Sequence, residues 1–141
     1  MSQENVEAAS RDRLDVMRRW FDAWNRTDLD SFFDLYGADA EVITDPSWME
    51  AGPFKGRPAI REWFEGLKES WSERDEVAIT DLFEVRGQVV ARFVWQVRGR
   101  SSGIDMHLDA TSVNTIDAGR IVRQQYYFDH AQALEAVGLS E

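Results

Sequence analysis

The hydrophobic repeat changes period once along this chain, and that change limits what it can fold into. Up to Trp71 apolar residues recur at three and four; from Val77 onward they recur at two. The first spacing lines one face of a helix and the second one face of a strand. Helices collected in one half and strands in the other predict an α+β domain, with the helices on one side of a sheet.

Leu14, Met17, Trp20, Phe21 and Trp24 predict a helix over 5–25. Asp28 can cap a second, shorter helix, whose Leu29, Phe32, Phe33 and Tyr36 follow an i, i+3, i+4, i+7 pattern. The β-branched run 40–44 predicts one short strand, stopped at Asp45-Pro46 because proline cannot extend a central ladder. Pro58 suits a first helical turn, and Ile60, Trp63, Phe64, Leu67 and Trp71 continue a third helix. Strands are then expected over 77–85 and 88–98, joined at Arg86-Gly87, and over 104–116 and 120–128, joined by a three-residue turn at "DAG". "GRSSG" is read as a loop between the second and third of these strands. Asp129 stands three residues before Gln132, a capping-box spacing, and Gly138 closes a short last helix. The reading is one domain over 1–141, with no repeat and no linker.

Charge and composition exclude several function classes. A formal charge of -10 repels phosphate backbones and anionic membranes, so no nucleic acid and no membrane partner is expected. The start of the chain has no signal-peptide pattern and no apolar run would span a bilayer, so a cytoplasmic protein is expected. There is no cysteine, which removes disulfides and thiolate chemistry. His107 and His130 share no metal-ligand spacing, so no metal site is expected. Asp105, His107 and Asp109 do alternate on one strand face, but that face is expected to look outward. Six tryptophans and eight phenylalanines are many for this length, and most are expected to be plain core.

Three stretches, "FDAWNRTDLDSFFDLYGADAEVITDP", "GPFKGRPAIREWFEGL" and "GRIVRQQYYFDHAQALEAVGL", carry a resemblance over nearly the whole chain. Together they resemble the SnoaL-like branch of the nuclear-transport-factor-2-like superfamily, which also holds ketosteroid isomerases and limonene epoxide hydrolases. The resemblance implies a cone: a strongly bent antiparallel sheet around one long and two shorter helices, with a short C-terminal helix and an apolar cavity opening at the wide end. It also implies a homodimer made through the outer sheet face, where His107 would be interfacial, and no cofactor.

Asp45 is the first candidate for chemistry. Its "TDP" matches the place of the general base in ketosteroid isomerases, where a partly dry carboxylate has its pKa raised toward that of the proton it takes. An Asx-Pro turn opener, with the carboxylate accepting backbone N–H groups, explains the same residue equally well. The isomerase oxyanion donors are replaced: Trp20 stands for a first-helix tyrosine and Ser112 for a protonated strand acid, while Tyr36 is kept and Phe64 lacks a hydroxyl. The acid/base aspartate of the SnoaL-type cyclases falls in Gln124-Gln125-Tyr126, and the histidine of many relatives falls at Ser112. What remains is a polar set at period two, Ser112 with Asn114 and Gln124 with Tyr126, which either lines the cavity or satisfies itself and buried water.

The expected site therefore has Asp45 as base with Tyr126 and Ser112 as donors. Trp20, Tyr36, Trp48, Trp63, Phe93, Trp95, Asn114, Gln124 and Phe128 are expected to bind a small apolar molecule, with Trp48 and Met49 forming an apolar rim. Isomerase or cyclase chemistry, and a non-catalytic binding or dimerisation module, both stay open. The Asp129-His130 pair is read as a helix cap followed by a solvent-facing residue.

Overall fold

The structure is a computed structural model describing residues 3–48, 52–70, 75–98 and 105–139. Four helices and six strands follow in the order α1 (Gln3–Asn25), α2 (Leu29–Asp34), β1 (Tyr36–Ile43), β2 (Phe54–Lys55), α3 (Arg57–Ser70), β3 (Glu76–Val85), β4 (Gln88–Arg98), β5 (Asp105–Asp117), β6 (Arg120–Tyr127) and α4 (His130–Ala136). Trp71, "GRSSG" and Met49, which sequence placed in a helix, a loop and a rim, lie outside the described residues.

The sheet runs β2-β1-β6-β5-β4-β3. Its pairs are antiparallel except β1 with β6, which is parallel, so the antiparallel sheet expected from sequence is a mixed one. Register shifts at Ile79/Asp81 in β3, Thr115/Ile116 in β5 and Tyr36/Glu41 in β1 bend the strands and curl the sheet into an unclosed cone. Both tight hairpins use two residues of positive φ, Arg86-Gly87 and Ala118-Gly119. This geometry matches the right-handed strand twist. Pairing therefore continues to Asp117↔Arg120, leaving a two-residue turn in place of the expected three.

Helix α1 ends where Thr27 takes φ 54. The Thr27 N–H reaches Trp24 O and the Asp28 N–H reaches Ala23 O, which satisfies the last carbonyls of the helix. Asp28 then caps α2 through the Ser31 N–H, at 3.3 Å. Tyr36, read by its spacing as the last member of α2, instead opens β1 and is fully buried there; α2 has stopped at Asp34. The two-residue strand β2 carries no periodic signal and was not expected.

Inside the cone, α1, α2 and α3 bury Met17, Trp20, Phe21, Phe32, Phe33 and Phe64 against Val89, Ala91, Phe93 and Trp95 of β4. A smaller cluster lies on the convex side, where Ala133 and Val137 of the α4 end cover Val90 and Val113. Asp129 caps α4 through the Ala131 N–H, at 2.9 Å. His130, expected to face solvent, is half-buried, with Nδ1 2.8 Å from Thr111 Oγ1. It moves inward because α4 packs on β5 and β6. Asp105, His107 and Asp109 do point outward, and Asp109 meets Arg92 at 3.3 Å. Among the described residues no helix is long and apolar enough to cross a membrane.

Candidate functional site

A cavity of about 70 Å³, open at its mouth, lies between the concave sheet and helices α1 and α3. Trp20 and Trp24 enter it from α1, Trp63, Phe64 and Leu67 from α3, and Val77, Phe93, Trp95, Leu108 and Ala110 from β3, β4 and β5. The chain after β1 adds Thr44, Asp45 and Trp48, and the end of β6 adds Tyr126 and Phe128. Nine of these side chains are aromatic, and the eight Trp and Phe among them also belong to the hydrophobic core cluster or pack against it.

Asp45 opens a turn, as one of the two readings expected, and also lines the cavity. Its Oδ1 accepts the Ser47 N–H at 2.9 Å and the Ser47 hydroxyl at 2.6 Å, which makes an Asx turn. Its Oδ2 accepts the Phe128 N–H at 3.0 Å, across the mouth of the cone. It is also 9% exposed and forms part of the cavity wall. Burial alone would raise its pKa, but the Ser47 hydroxyl, the Phe128 N–H and the Ser47 N–H together hold it below the usual aspartate value. The rise expected for a general base is therefore not found. Trp48 packs edge-on against Phe128, with ring centroids 5.6 Å apart, and closes one side of the mouth.

The polar strand residues lie behind the wall. Gln124 Oε1 accepts the Tyr36 hydroxyl at 2.6 Å and the Tyr126 hydroxyl at 2.7 Å, while Gln124 Nε2 donates to Asn114 Oδ1 at 2.8 Å. Asn114 Nδ2 is shared by Ser112 Oγ at 3.0 Å and Val89 O at 3.1 Å. Trp20 Nε1 donates to the Tyr36 hydroxyl at 2.8 Å. Ser112, Asn114, Gln124 and Tyr36 are all fully buried and satisfied by one another, and none of them lines the cavity. Tyr126 is divided: its ring forms wall, and its hydroxyl belongs to the network. Burial pushes the Tyr36 and Tyr126 hydroxyls well above the usual tyrosine pKa, so both stay protonated.

Sequence reading missed Asp75. Its Oδ2 accepts Trp24 Nε1 at 2.8 Å and Trp95 Nε1 at 2.7 Å, and its Oδ1 takes Lys68 Nζ at 2.9 Å. The Lys68 ammonium also lies 4.1 Å from the centroid of the Trp24 ring. This group fixes two tryptophans of the wall from outside the cavity. Within "SERDE" nothing distinguishes Asp75 from its charged neighbours. Two further wall tryptophans are in the opposite condition: the buried indole N–H groups of Trp48 and Trp63 have no partner among the described residues. No cluster of three or more metal-binding side chains occurs among those residues.

Residues 17–124 match the SnoaL-like domain family. The chain belongs to that family. This SnoaL-like protein also shares its fold with solved structures of low identity. One is a protein of ketosteroid isomerase-like fold from Catenulispora acidiphila in complex with trimethylamine, at 18% identity and TM-score 0.71, covering 88% of this chain and 92% of that one. Another is a nuclear-transport-factor-2-like protein of unknown function from Burkholderia pseudomallei, at 17% identity and TM-score 0.74, covering 90% and 98%. A third is TerC co-crystallized with polyporic acid, at 16% identity and TM-score 0.73, covering 89% and 97%. No curated protein matches the chain. Identities this low show a common fold and leave the SnoaL-like protein's own site to be argued from its own residues.

Proposed function

We propose that this SnoaL-like protein binds a small, largely apolar molecule inside the cone. The observation that carries this reading is one cavity walled by nine aromatic side chains and a single carboxylate. Aromatic walls gain from burying a ligand's apolar surface, and an open mouth lets it enter. Two proteins that share the fold were crystallised with small molecules of contrasting chemistry, trimethylamine and polyporic acid.

A second reading, isomerase or cyclase chemistry in the same cavity, is favoured by the indole donors of Trp48 and Trp63, which have no partner among the described residues and share a wall with Asp45. Asp45 would take a proton next to a carbonyl, and an indole N–H would stabilise the oxygen that becomes negative. The lowered pKa of Asp45 makes it a weak base, and the Tyr126 and Ser112 hydroxyls are turned away from the cavity. Binding is therefore the primary reading. The resemblance further supports a homodimer, which sedimentation of the purified chain would test.

The cavity itself is tested by filling it. Ala110 is 3% exposed in the middle of β5 and lines the cavity. The neutral dye N-phenyl-1-naphthylamine should brighten on binding the wild type, and Ala110→Phe should abolish that signal while keeping the far-UV circular dichroism. Equal brightening by a folded Ala110→Phe protein would refute binding in the cone.

A further inference from the structure

Asp45 is a buried negative charge without a counter-ion. No Lys, Arg or His among the described residues pairs with it; its three contacts are the neutral Ser47 N–H, Ser47 hydroxyl and Phe128 N–H. Oδ1 is saturated by two of these donors, and Oδ2, with one, keeps an acceptor position. A carboxylate removed from water in this way gains from any cation brought close to it. Among the described residues no basic side chain lines the cavity.

The rest of the wall has the same preference. The face of an aromatic ring is the negative pole of its quadrupole, tryptophan is the strongest such partner, and five tryptophans line this one cavity. The chain already uses this chemistry on itself: the Lys68 ammonium sits on the Trp24 ring and is paired to Asp75, so a cation, an indole face and a carboxylate meet at one point. Asp45 and five tryptophans form part of the cavity wall, and no cationic side chain among the described residues does. The net charge of -10 also raises the local concentration of cations around the molecule.

We propose that the ligand of this cavity is a lipophilic amine: an ammonium or methylated ammonium centre held among the tryptophan faces beside Asp45, with its apolar body filling the rest of the cone. The proposal rests on the binding reading above and adds the charge of the ligand to it.

The test uses three ligands of nearly one shape. Benzyltrimethylammonium is a cation, neopentylbenzene is its neutral carbon isostere, and phenylmethanesulfonate carries a negative head. Each is titrated against the full chain loaded with N-phenyl-1-naphthylamine, and displacement gives its affinity. The cation should bind about ten-fold more tightly than the neutral isostere, the size expected for a desolvated cation–π contact beside a carboxylate, and the sulfonate more weakly than either. In Asp45→Asn the ratio of cation to neutral affinity should fall toward one. Trp63→Phe, which keeps a smaller aromatic face and Asp45, should lower the same ratio by a lesser amount, and it serves if Asp45→Asn does not fold. Dye binding with equal affinities for the cation and its isostere, or tighter binding of the sulfonate, would overturn the proposal and leave the binding reading standing. Failure of the dye itself to bind would overturn the binding reading and the amine proposal with it.

Discussion

Replacing Asp75 by alanine should be one of the costliest single changes available in this chain. The side chain is 1% exposed and the Lys68 side chain 10%. Three donors converge on it: the ammonium of Lys68 and the indoles of Trp24 and Trp95. Alanine would take the paired carboxylate from a buried ammonium that keeps its bond to Trp24 O, a loss of up to about 3–5 kcal/mol. Each indole N–H that loses its bond to Asp75 costs up to about 1–3 kcal/mol as well, although the three effects share one site and do not sum. Against a total stability of about 5–15 kcal/mol, the loss is a large fraction. In urea titration, followed by tryptophan fluorescence and circular dichroism, the midpoint should fall by about 2 M for a slope of about 2 kcal/mol per M. A double variant, Lys68→Met with Asp75→Asn, removes the buried charge and keeps an oxygen for the indoles, so it should recover most of the loss. A shift of less than about 0.5 M for Asp75→Ala would refute the argument, as would a double variant no better than the single one. Dye affinity supplies a second readout, because Trp24 and Trp95 form cavity wall and lose their anchor together.

Thr27 holds φ 54 at the C-terminal stop of α1, where its side chain is exposed. Thr27→Gly should stabilise the protein by about 1 kcal/mol, seen as a rise of a few degrees in the thermal midpoint; a fall would show that the threonine side chain makes an offsetting contact. Asp45 has a folded pKa below its ordinary value, so the stability it contributes is present above the unfolded pKa and disappears as pH falls through the folded one. Urea midpoints measured from pH 6 downward should therefore decline less steeply in Asp45→Asn than in the wild type, and parallel curves would refute the assignment.

Much of the fold was legible because it rests on strong repeats. The change of period after Trp71 separated helices from strands, and each of the β3 to β6 boundaries falls within a residue or so of its turn signal. Tyr36 was misplaced because spacing from Leu29 cannot reveal that a helix of six residues has already ended. The parallel β1-β6 pair was invisible, since local patterns say nothing about which distant strand a short one will join. In the site, aromatic wall residues such as Trp63, Phe93 and Trp95 were identified by face, which a period determines. Polar residues on those faces were not resolved, because whether Asn114 and Gln124 meet a ligand or each other depends on depth along the strand. Asp75 carried no local mark at all: its role comes from three partners, two of them 51 and 20 residues away in sequence.

The carboxylate of Asp45 reaches the backbone of Phe128, 83 positions away, and so ties the Ser47 turn on one lip of the cone to the other lip. It is a rivet as well as a charge. A chain of this kind that lost its chemistry would still need something at that point to keep the two lips together, and few side chains other than a carboxylate can take N–H donors on both sides at once. An aspartate after the first strand is therefore a mark of how the mouth is assembled, and it is compatible with a catalyst, a carrier or a receptor alike.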